Sequence, residues 1–147
     1  MANFYLAYYF TSDNNISANF AEAREITNKN EGGYANTTGD RGGETYRGIS
    51  RAYWPNWEGW PIIDNIKASG RLPNASEGEP LDTMVMNFYK NNFWDKLRGN
   101  DINSQTVANF LYDWYVTSQS AAISLLRKVI NSMSSGAVTN GTPCTEL

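Results

Sequence analysis

Apolar residues recur at three- and four-residue intervals early in the chain, which predicts a helix there. The stripe consists of Phe20, Ala23, Ile26 and Thr27. We expect Ser17 to cap the start of this helix. Gly32 and Gly33 are expected to end it, because glycine readily takes the left-handed conformation found after helix C-termini. The pattern therefore places Glu31 on or just past the last helical turn.

Helical spacing of apolar residues returns later and predicts further helices over residues 62–68, 80–93, 104–116 and 120–136. Pro80 is expected to open the second of these, and Ser104 and Ser120 to cap the last two. Ser50 is expected to cap a short helix that ends before Pro55. The rest of residues 54–74 is expected to be mostly loop, because three prolines interrupt it.

A β-like pattern is confined to the segment that follows Glu31. Residues 34–37 and 45–49 are predicted to be the short strands of a hairpin, because the glycine-rich stretch between them tolerates positive φ. The predicted fold class is therefore mainly α, or α+β, with one small β-hairpin next to the end of a helix.

Three side chains of this helix–hairpin segment suggest acid/base chemistry. Glu31 would face the negative end of the helix dipole, which disfavours ionisation and suits a general acid. Asp40 follows nine positions later and Thr45 five positions after that, so a folded-back loop could bring them to one cleft. There Asp40 could orient or deprotonate a water that Thr45 helps to hold. Taken singly, Glu31 is more typical of an ordinary helix end, and Asp40 is more typical of an Asx turn.

The complete run EGGYANTTGDRGGETYRGIS, residues 31–50, is more distinctive. It resembles the signature of the lysozyme-like glycoside hydrolase family 108, also called the secretion-activator or peptidoglycan-domain family. A weaker similarity continues through residues 88–95 and 110–130, so the resemblance covers roughly residues 15–135. It implies a lysozyme-like, mainly α-helical fold with Glu31 as the catalytic glutamate. The spacing of Glu31 and Asp40 is similar to that in the Glu…Asp…Thr triad of phage-type lysozymes, and Thr45 follows Asp40 with a gap one residue shorter than in that triad.

The resemblance implies an N-acetylmuramidase that cleaves the β-1,4 bond between N-acetylmuramic acid and N-acetylglucosamine. Five further residues are predicted to bind the substrate: Tyr34, Asn36, Tyr46, Trp57 and Thr117. Residues 117–119 read Thr-Ser-Gln where the family usually has Asn, Ser or Ala, and Gly. This departure leaves a non-catalytic wall-binding or secretion-assisting protein as the alternative. A lytic transglycosylase is a third, weaker option.

Composition narrows the function classes. The 147 residues suit one domain, which we expect to span residues 1–135, with residues 136–147 as a flexible tail where the family's peptidoglycan-binding segment is incomplete. The absence of histidine excludes Ser-His-Asp and Cys-His nucleophiles and His-ligated zinc sites, so no metal and no cofactor is expected. The single cysteine, Cys144, forms no internal disulfide.

Charge excludes one class of partner. The net charge of −3 and the lack of a basic stripe argue against nucleic acid. The acidic balance does not exclude an anionic wall as substrate, and the resemblance implies the glycan strands of peptidoglycan as the partner. No apolar run has transmembrane length, and the start of the chain has no basic residue before its apolar stretch, so we expect neither membrane insertion nor a classical signal peptide. The protein is expected to be made in the bacterial cytoplasm and to reach the wall or periplasm by a holin-type or other export route. The oligomeric state is left open, a homodimer included.

Overall fold

The structure of the protein, a computed structural model, describes residues 17–28, 33–36 and 43–133. These residues form five α-helices and one small sheet. In chain order the elements are α1 (Phe20–Asn28), β1 (Tyr34–Ala35), β2 (Thr45–Tyr46), β3 (Ile49–Ser50), α2 (Trp60–Ala68), α3 (Leu81–Tyr89), α4 (Gln105–Thr117) and α5 (Gln119–Met133). A π-helical turn, Lys90–Trp94, extends α3, and a 3-10 turn, Gly99–Asp101, precedes α4. The predicted mainly helical class with a minor antiparallel β element is confirmed.

The chain divides into two compact units. The first contains the described residues 17–23 and 97–133, and the second contains residues 24–96. The predicted domain limits, residues 1–135 with a tail after them, stay a prediction, because both ends of the chain lie outside the described residues.

The first unit is built on the packing of α4 against α5. The predicted cap at Ser104 is confirmed, since its hydroxyl oxygen accepts a hydrogen bond from the amide of Val107 at 3.4 Å. Four residues of α4 are buried: Ala108, Leu111, Tyr112 and Tyr115. The residues before α1 join this unit through the amide of Ala18, which donates to the carbonyl of Ile102 at 2.9 Å.

The second unit has an aromatic core beneath α3. The buried residues of α3 are Leu81, Val85, Phe88 and Tyr89, which keep the predicted helical spacing. Around them lie the buried residues Tyr46, Ile49, Trp57, Trp60, Ile63, Phe93 and Trp94. Trp57 and Trp60 meet edge to face with ring centroids 5.2 Å apart, a favoured geometry for aromatic pairs.

Three predicted helix caps are wrong, each for a local reason. The hydroxyl of Ser17 donates to the carbonyl of Asn100, and the side-chain oxygen of Asn19 instead accepts from the amide of Ala21 at 2.8 Å, so Asn19 caps α1. Ser50 belongs to β3 and is followed by turns, not by a helix. The last helix begins one residue before Ser120, because the extended Ser118 ends α4 and its carbonyl accepts the amide of Ala122.

Gly59 is required by the position of the Trp57 ring. A Cβ atom at residue 59 would lie 2.3 Å from Cη2 of that indole, far inside van der Waals contact. The backbone φ of Gly59 is −75°, so the cost of a side chain there is steric and not conformational. We expect Gly59→Ala to lower the free energy of unfolding by about 1–2 kcal/mol through overpacking.

Denaturant unfolding of Gly59→Ala, Trp57→Leu and the double variant tests this expectation. Without the indole, alanine at residue 59 should cost little stability. The loss of unfolding free energy in the double variant should therefore be well below the sum of the two single losses. Additive costs would show that the indole does not exclude a side chain at residue 59.

Candidate active site

The hairpin predicted after Glu31 is present, but the single strand predicted over residues 45–49 is wrong: it is two strands, β2 and β3, with a turn between them. Strand β1 pairs antiparallel with β2, so that Ala35 lies opposite Thr45. Strand β2 pairs antiparallel with β3, so that Thr45 also lies opposite Ser50. The two residues between β2 and β3, Arg47 and Gly48, both have positive φ, 46° and 80°, as a tight two-residue hairpin turn requires.

Arg47 is held in this strained conformation from three sides. Its amide donates to the carbonyl of Gly33 at 2.9 Å, and its guanidinium pairs with Asp82 at 2.8 Å. Its carbonyl accepts the hydroxyl of Tyr89 at 2.7 Å. A non-glycine residue at positive φ persists only where its surroundings hold it, and here α3 supplies two of the three contacts.

Tyr89 also contacts the helix that leads to Glu31. The guanidinium carbon of Arg24 on α1 lies 3.4 Å from the centre of the Tyr89 ring. Arg24 is completely buried, and none of its guanidinium nitrogens makes a hydrogen bond within the part of the chain that the structure describes. The ring of Tyr89 contacts α1 before Glu31, and its hydroxyl binds the carbonyl of Arg47 after it. One side chain therefore anchors the chain on both sides of the first part of the signature.

Glu44 is the centre of a charged cluster at the start of β2. Its Oε1 atom accepts from Nζ of Lys67 at 2.6 Å and from the hydroxyl of Tyr34 at 3.0 Å. Its Oε2 atom accepts from Arg51 at 2.7 Å. The Glu44 side chain is only 12% exposed, so these charge-assisted bonds operate with little competing water. They tie β1 and β2 to helix α2, which carries Lys67.

Arg51 extends the cluster to a second carboxylate. Its two terminal nitrogens bind the two carboxylate oxygens of Asp64 at 2.7 Å each, the bidentate arrangement that guanidinium favours. The same guanidinium lies 5.1 Å above the Trp60 ring. The hairpin is therefore fixed to α2 by two cations shared between two carboxylates.

The cluster decides the ionisation of Glu44. Burial raises the pKa of this carboxyl, but hydrogen bonds from Lys67, Arg51 and Tyr34 outweigh burial and hold the pKa below its ordinary value of 4.5. A hydrogen bond from Arg51 likewise lowers the pKa of Asp64. An ionised carboxylate that is neutralised by two cations cannot serve as a proton donor at neutral pH, so Glu44 is unsuited to be the general acid.

We expect the free energy of unfolding to fall in acid because Glu44 becomes protonated. Its folded-state pKa is lowered, so the unfolded chain binds more protons as the pH falls. The stability that Glu44 contributes is complete above the unfolded pKa of about 4.5 and is lost as the pH drops from there through the folded pKa. Thermal unfolding between pH 7 and pH 3 should show this decline, and Glu44→Gln should flatten it. An equally steep decline in the variant would assign acid lability to other carboxylates.

The predicted catalytic residues are described only in part. Glu31 and Asp40 lie outside the described residues, so their separation from each other and from Thr45 is not defined. Thr45 is half-buried in β2, and its hydroxyl donates to the carbonyl of Gly43 at 3.3 Å. The triad stays a prediction. Of its members the structure describes Thr45, which lies on β2 directly after Glu44.

The predicted substrate-binding residues have different environments. Tyr34 is half-buried beside Glu44, and Asn36 is exposed just after β1. Tyr46 is completely buried and stacks on the 8% exposed Trp57, with ring centroids 6.2 Å apart. Thr117 is exposed at the end of α4 in the first unit, where its hydroxyl donates to the carbonyl of Asp113 at 3.1 Å. Their contacts with substrate stay predictions.

Four members of the site were not predicted from the sequence: Glu44, Arg51, Asp64 and Lys67. Asp64 and Lys67, three residues apart on a predicted helix, were a visible charge pair. Their connection to Glu44, about twenty residues earlier, is a tertiary contact for which the local pattern holds no signal. Glu44 lies beside Thr45 within the signature, and its surroundings alone distinguish it from a catalytic carboxylate.

Across residues 17–28, 33–36 and 43–133, no group of three or more His, Cys, Asp or Glu side chains is arranged to hold a metal ion. Among the helices in the same parts of the chain, none combines the length and the apolar character that a membrane crossing requires.

A comparison with protein families identifies the family of this chain. The family model described as Glycosyl hydrolase 108 matches residues 24–118, more than half of the chain. The match begins in α1, includes the whole signature and the charged cluster, and ends just after α4. No curated protein and no solved structure matches the chain.

Proposed function

Because the chain belongs to glycosyl hydrolase family 108, we propose that it is a lysozyme-like N-acetylmuramidase. The proposed substrate is peptidoglycan, and the bond cleaved is the β-1,4 link between N-acetylmuramic acid and N-acetylglucosamine. The observation that carries the proposal is the family match over residues 24–118, which contains the complete run of residues 31–50. The family supports glycoside hydrolysis in general, and the specific bond is the further step proposed here.

In the proposed mechanism Glu31 is the general acid. It protonates the glycosidic oxygen as the bond to the muramic acid ring breaks, which avoids expulsion of an alkoxide. Asp40 orients a water molecule and takes its proton as the water oxygen bonds to the anomeric carbon, and the Thr45 hydroxyl holds that water. We propose inversion at the anomeric carbon, for which the two carboxyl groups would stand about 6.5–9.5 Å apart.

The braced hairpin supports this assignment of roles. Thr45 follows Glu44 directly, and the bonds of Glu44 to α2 limit how far the start of β2 can move. Positional restraint matters because a catalytic group displaced by about 1 Å can cost a hundredfold in rate. The charge of Glu44 is already neutralised by Lys67 and Arg51, so the acid role falls to another carboxyl group of the signature.

The action on the wall implies a route out of the cell. We propose that the protein acts at the bacterial cell wall after release by a holin-type or other export step.

Digestion of purified peptidoglycan, followed by analysis of the soluble muropeptides, tests the proposed function. A muramidase produces fragments with reducing N-acetylmuramic acid ends. Anhydro-muramic ends would instead identify a lytic transglycosylase. Intact glycan strands together with retained wall binding would support the non-catalytic alternative, and reducing N-acetylglucosamine ends would assign cleavage to the other glycosidic bond.

A further inference from the structure

A cavity of about 420 Å³ lies within the second unit, between residues 53–58 and the stretch 84–92 of α3 and its π-helical extension. Its volume falls within the range of about 300–1,000 Å³ that is usual for small-molecule sites. Of the predicted site residues that the structure describes, Trp57 lines it and the others do not.

Aromatic rings form one side of this cavity. Tyr53 is 70% exposed, and Trp54 beside it is half-buried with its ring edge-to-face on Phe88 at 4.9 Å. The indole nitrogen of Trp60 donates to the carbonyl of Trp54 at 2.7 Å, which anchors the loop. The Trp54 ring is held in this way, and the exposed Tyr53 ring beside it adds a second large apolar surface for a ligand.

Amide groups with free hydrogen-bonding capacity form the other part of the lining. Asn56, Asn87 and Asn91 are exposed, and their side chains make no hydrogen bond with any described residue. Each side-chain amide offers two donors and one acceptor. Trp57 also lines the cavity, and its indole N–H is buried without a partner among the described residues.

The charge of the lining restricts the ligand. Among the described residues around the cavity, Glu58 is acidic and none is basic. A ligand with a carboxylate or a phosphate would find no cation to pair with and one acidic group to repel it. The lining therefore favours an uncharged ligand with apolar faces and several hydrogen-bonding groups.

We propose that this cavity binds an uncharged N-acetylhexosamine unit of a glycan strand, an inference that rests on the proposed function for its choice of a glycan. The C–H face of the sugar stacks on Tyr53 and Trp54, and its acetamido and hydroxyl groups pair with the asparagine amides. The lactyl carboxylate of N-acetylmuramic acid is disfavoured, so the subsite selects the N-acetylglucosamine unit of the alternating polymer.

Trp57 connects this subsite to the hairpin. Its ring lines the cavity and also stacks on Tyr46 of β2, with an interplanar angle of 20°. Thr45 precedes Tyr46 on the same strand, so one aromatic layer separates the bound sugar unit from the strand that carries the predicted water-holding residue.

Titration of chitotetraose into the full-length Glu31→Gln protein, followed calorimetrically, tests the proposal without hydrolysis of the ligand. Tyr53→Ala and Asn91→Ala in this background should each weaken binding by about three- to tenfold, the loss expected for one stacking or hydrogen-bonding contact. Leu72→Ala and Asn65→Ala are the matched controls, because Leu72 is as exposed as Tyr53 and Asn65 is an exposed helical asparagine outside the cavity. Both controls should bind as the parent does.

A second ligand checks the chemistry. Cellotetraose has the same backbone without acetamido groups and should bind at least about tenfold more weakly than chitotetraose. Equal affinity for the two sugars, no binding of chitotetraose, or unchanged affinity in both cavity variants would overturn the proposal.

The two proposals fail separately. If wild-type protein releases reducing muramic acid ends while the cavity variants bind normally, the muramidase stands and the subsite is wrong. If the cavity variants lose chitotetraose binding while the wild type cleaves nothing, the subsite stands and the muramidase is wrong.

Discussion

Replacing Glu31 with glutamine is expected to lower the rate of peptidoglycan hydrolysis by at least about 10²–10⁴-fold, the usual contribution of a general acid. Glutamine keeps the size and polarity of the side chain but has no proton of suitable acidity to give to the leaving oxygen. Binding of the glycan should be retained, because the change removes an interaction made in the transition state and leaves ground-state contacts in place.

The matched control is Glu25→Gln. Glu25 is an exposed carboxylate of α1, six residues before Glu31, and its replacement should leave the rate unchanged. The measurement is the release of reducing ends from purified peptidoglycan by each protein at equal concentration, with wall binding measured in parallel. Hydrolysis that persists in Glu31→Gln at a rate near that of the wild type would remove Glu31 from the mechanism.

The second large effect is expected at Glu44. Glu44→Gln should lower the free energy of unfolding by about 2–3 kcal/mol, since bonds between charged groups are worth about 1.5–3 kcal/mol each and the partners stay partly solvated. The neutral amide can accept from one cation, but its NH₂ group cannot satisfy the other. Arg51 retains Asp64, whereas Lys67 keeps only the more distant Asp64 carboxylate at 3.9 Å.

Urea unfolding at pH 7 measures this effect, with Glu79→Gln as the control because Glu79 is exposed and forms no ion pair with the described residues. The control should unfold at the wild-type midpoint. Glu44→Gln should also reduce hydrolysis, because Thr45 loses its braced neighbour, but by much less than Glu31→Gln. A variant as stable as the wild type would mean that Glu44 does not hold the hairpin to α2.

Several elements could be predicted because their causes are local. The helix predicted over residues 104–116 is found as Gln105–Thr117, since both the Ser104 cap and the apolar spacing lie within the segment itself. The helix predicted over residues 80–93 is found as α3, but its last turn relaxes to π geometry where the aromatic side chains of Phe93 and Trp94 enter the core. Local pattern predicted the extent of this helix, and core packing decided its geometry.

The cap predictions failed where another hydrogen-bonding partner competed with the helix end for the same residue. Ser17 is a good capping residue by type, yet its hydroxyl donates to Asn100, 83 positions away, and Asn19 takes the cap. Ser50 is drawn into a third strand by its pairing with Thr45. A distant carbonyl in the first case and a strand pairing within the same hairpin in the second outweighed a capping preference that is worth only about 1 kcal/mol.

The mainly helical class, the hairpin after Glu31 and the family can be predicted from the chain, because helix periodicity, turn chemistry and the signature all depend on neighbouring residues. Three properties follow from folding instead: Glu44 is an ionised brace, Tyr46 is buried against Trp57, and Tyr53 and Asn91 line one cavity. These properties depend on burial and on partners from other elements, and neither quantity exists until the chain has folded.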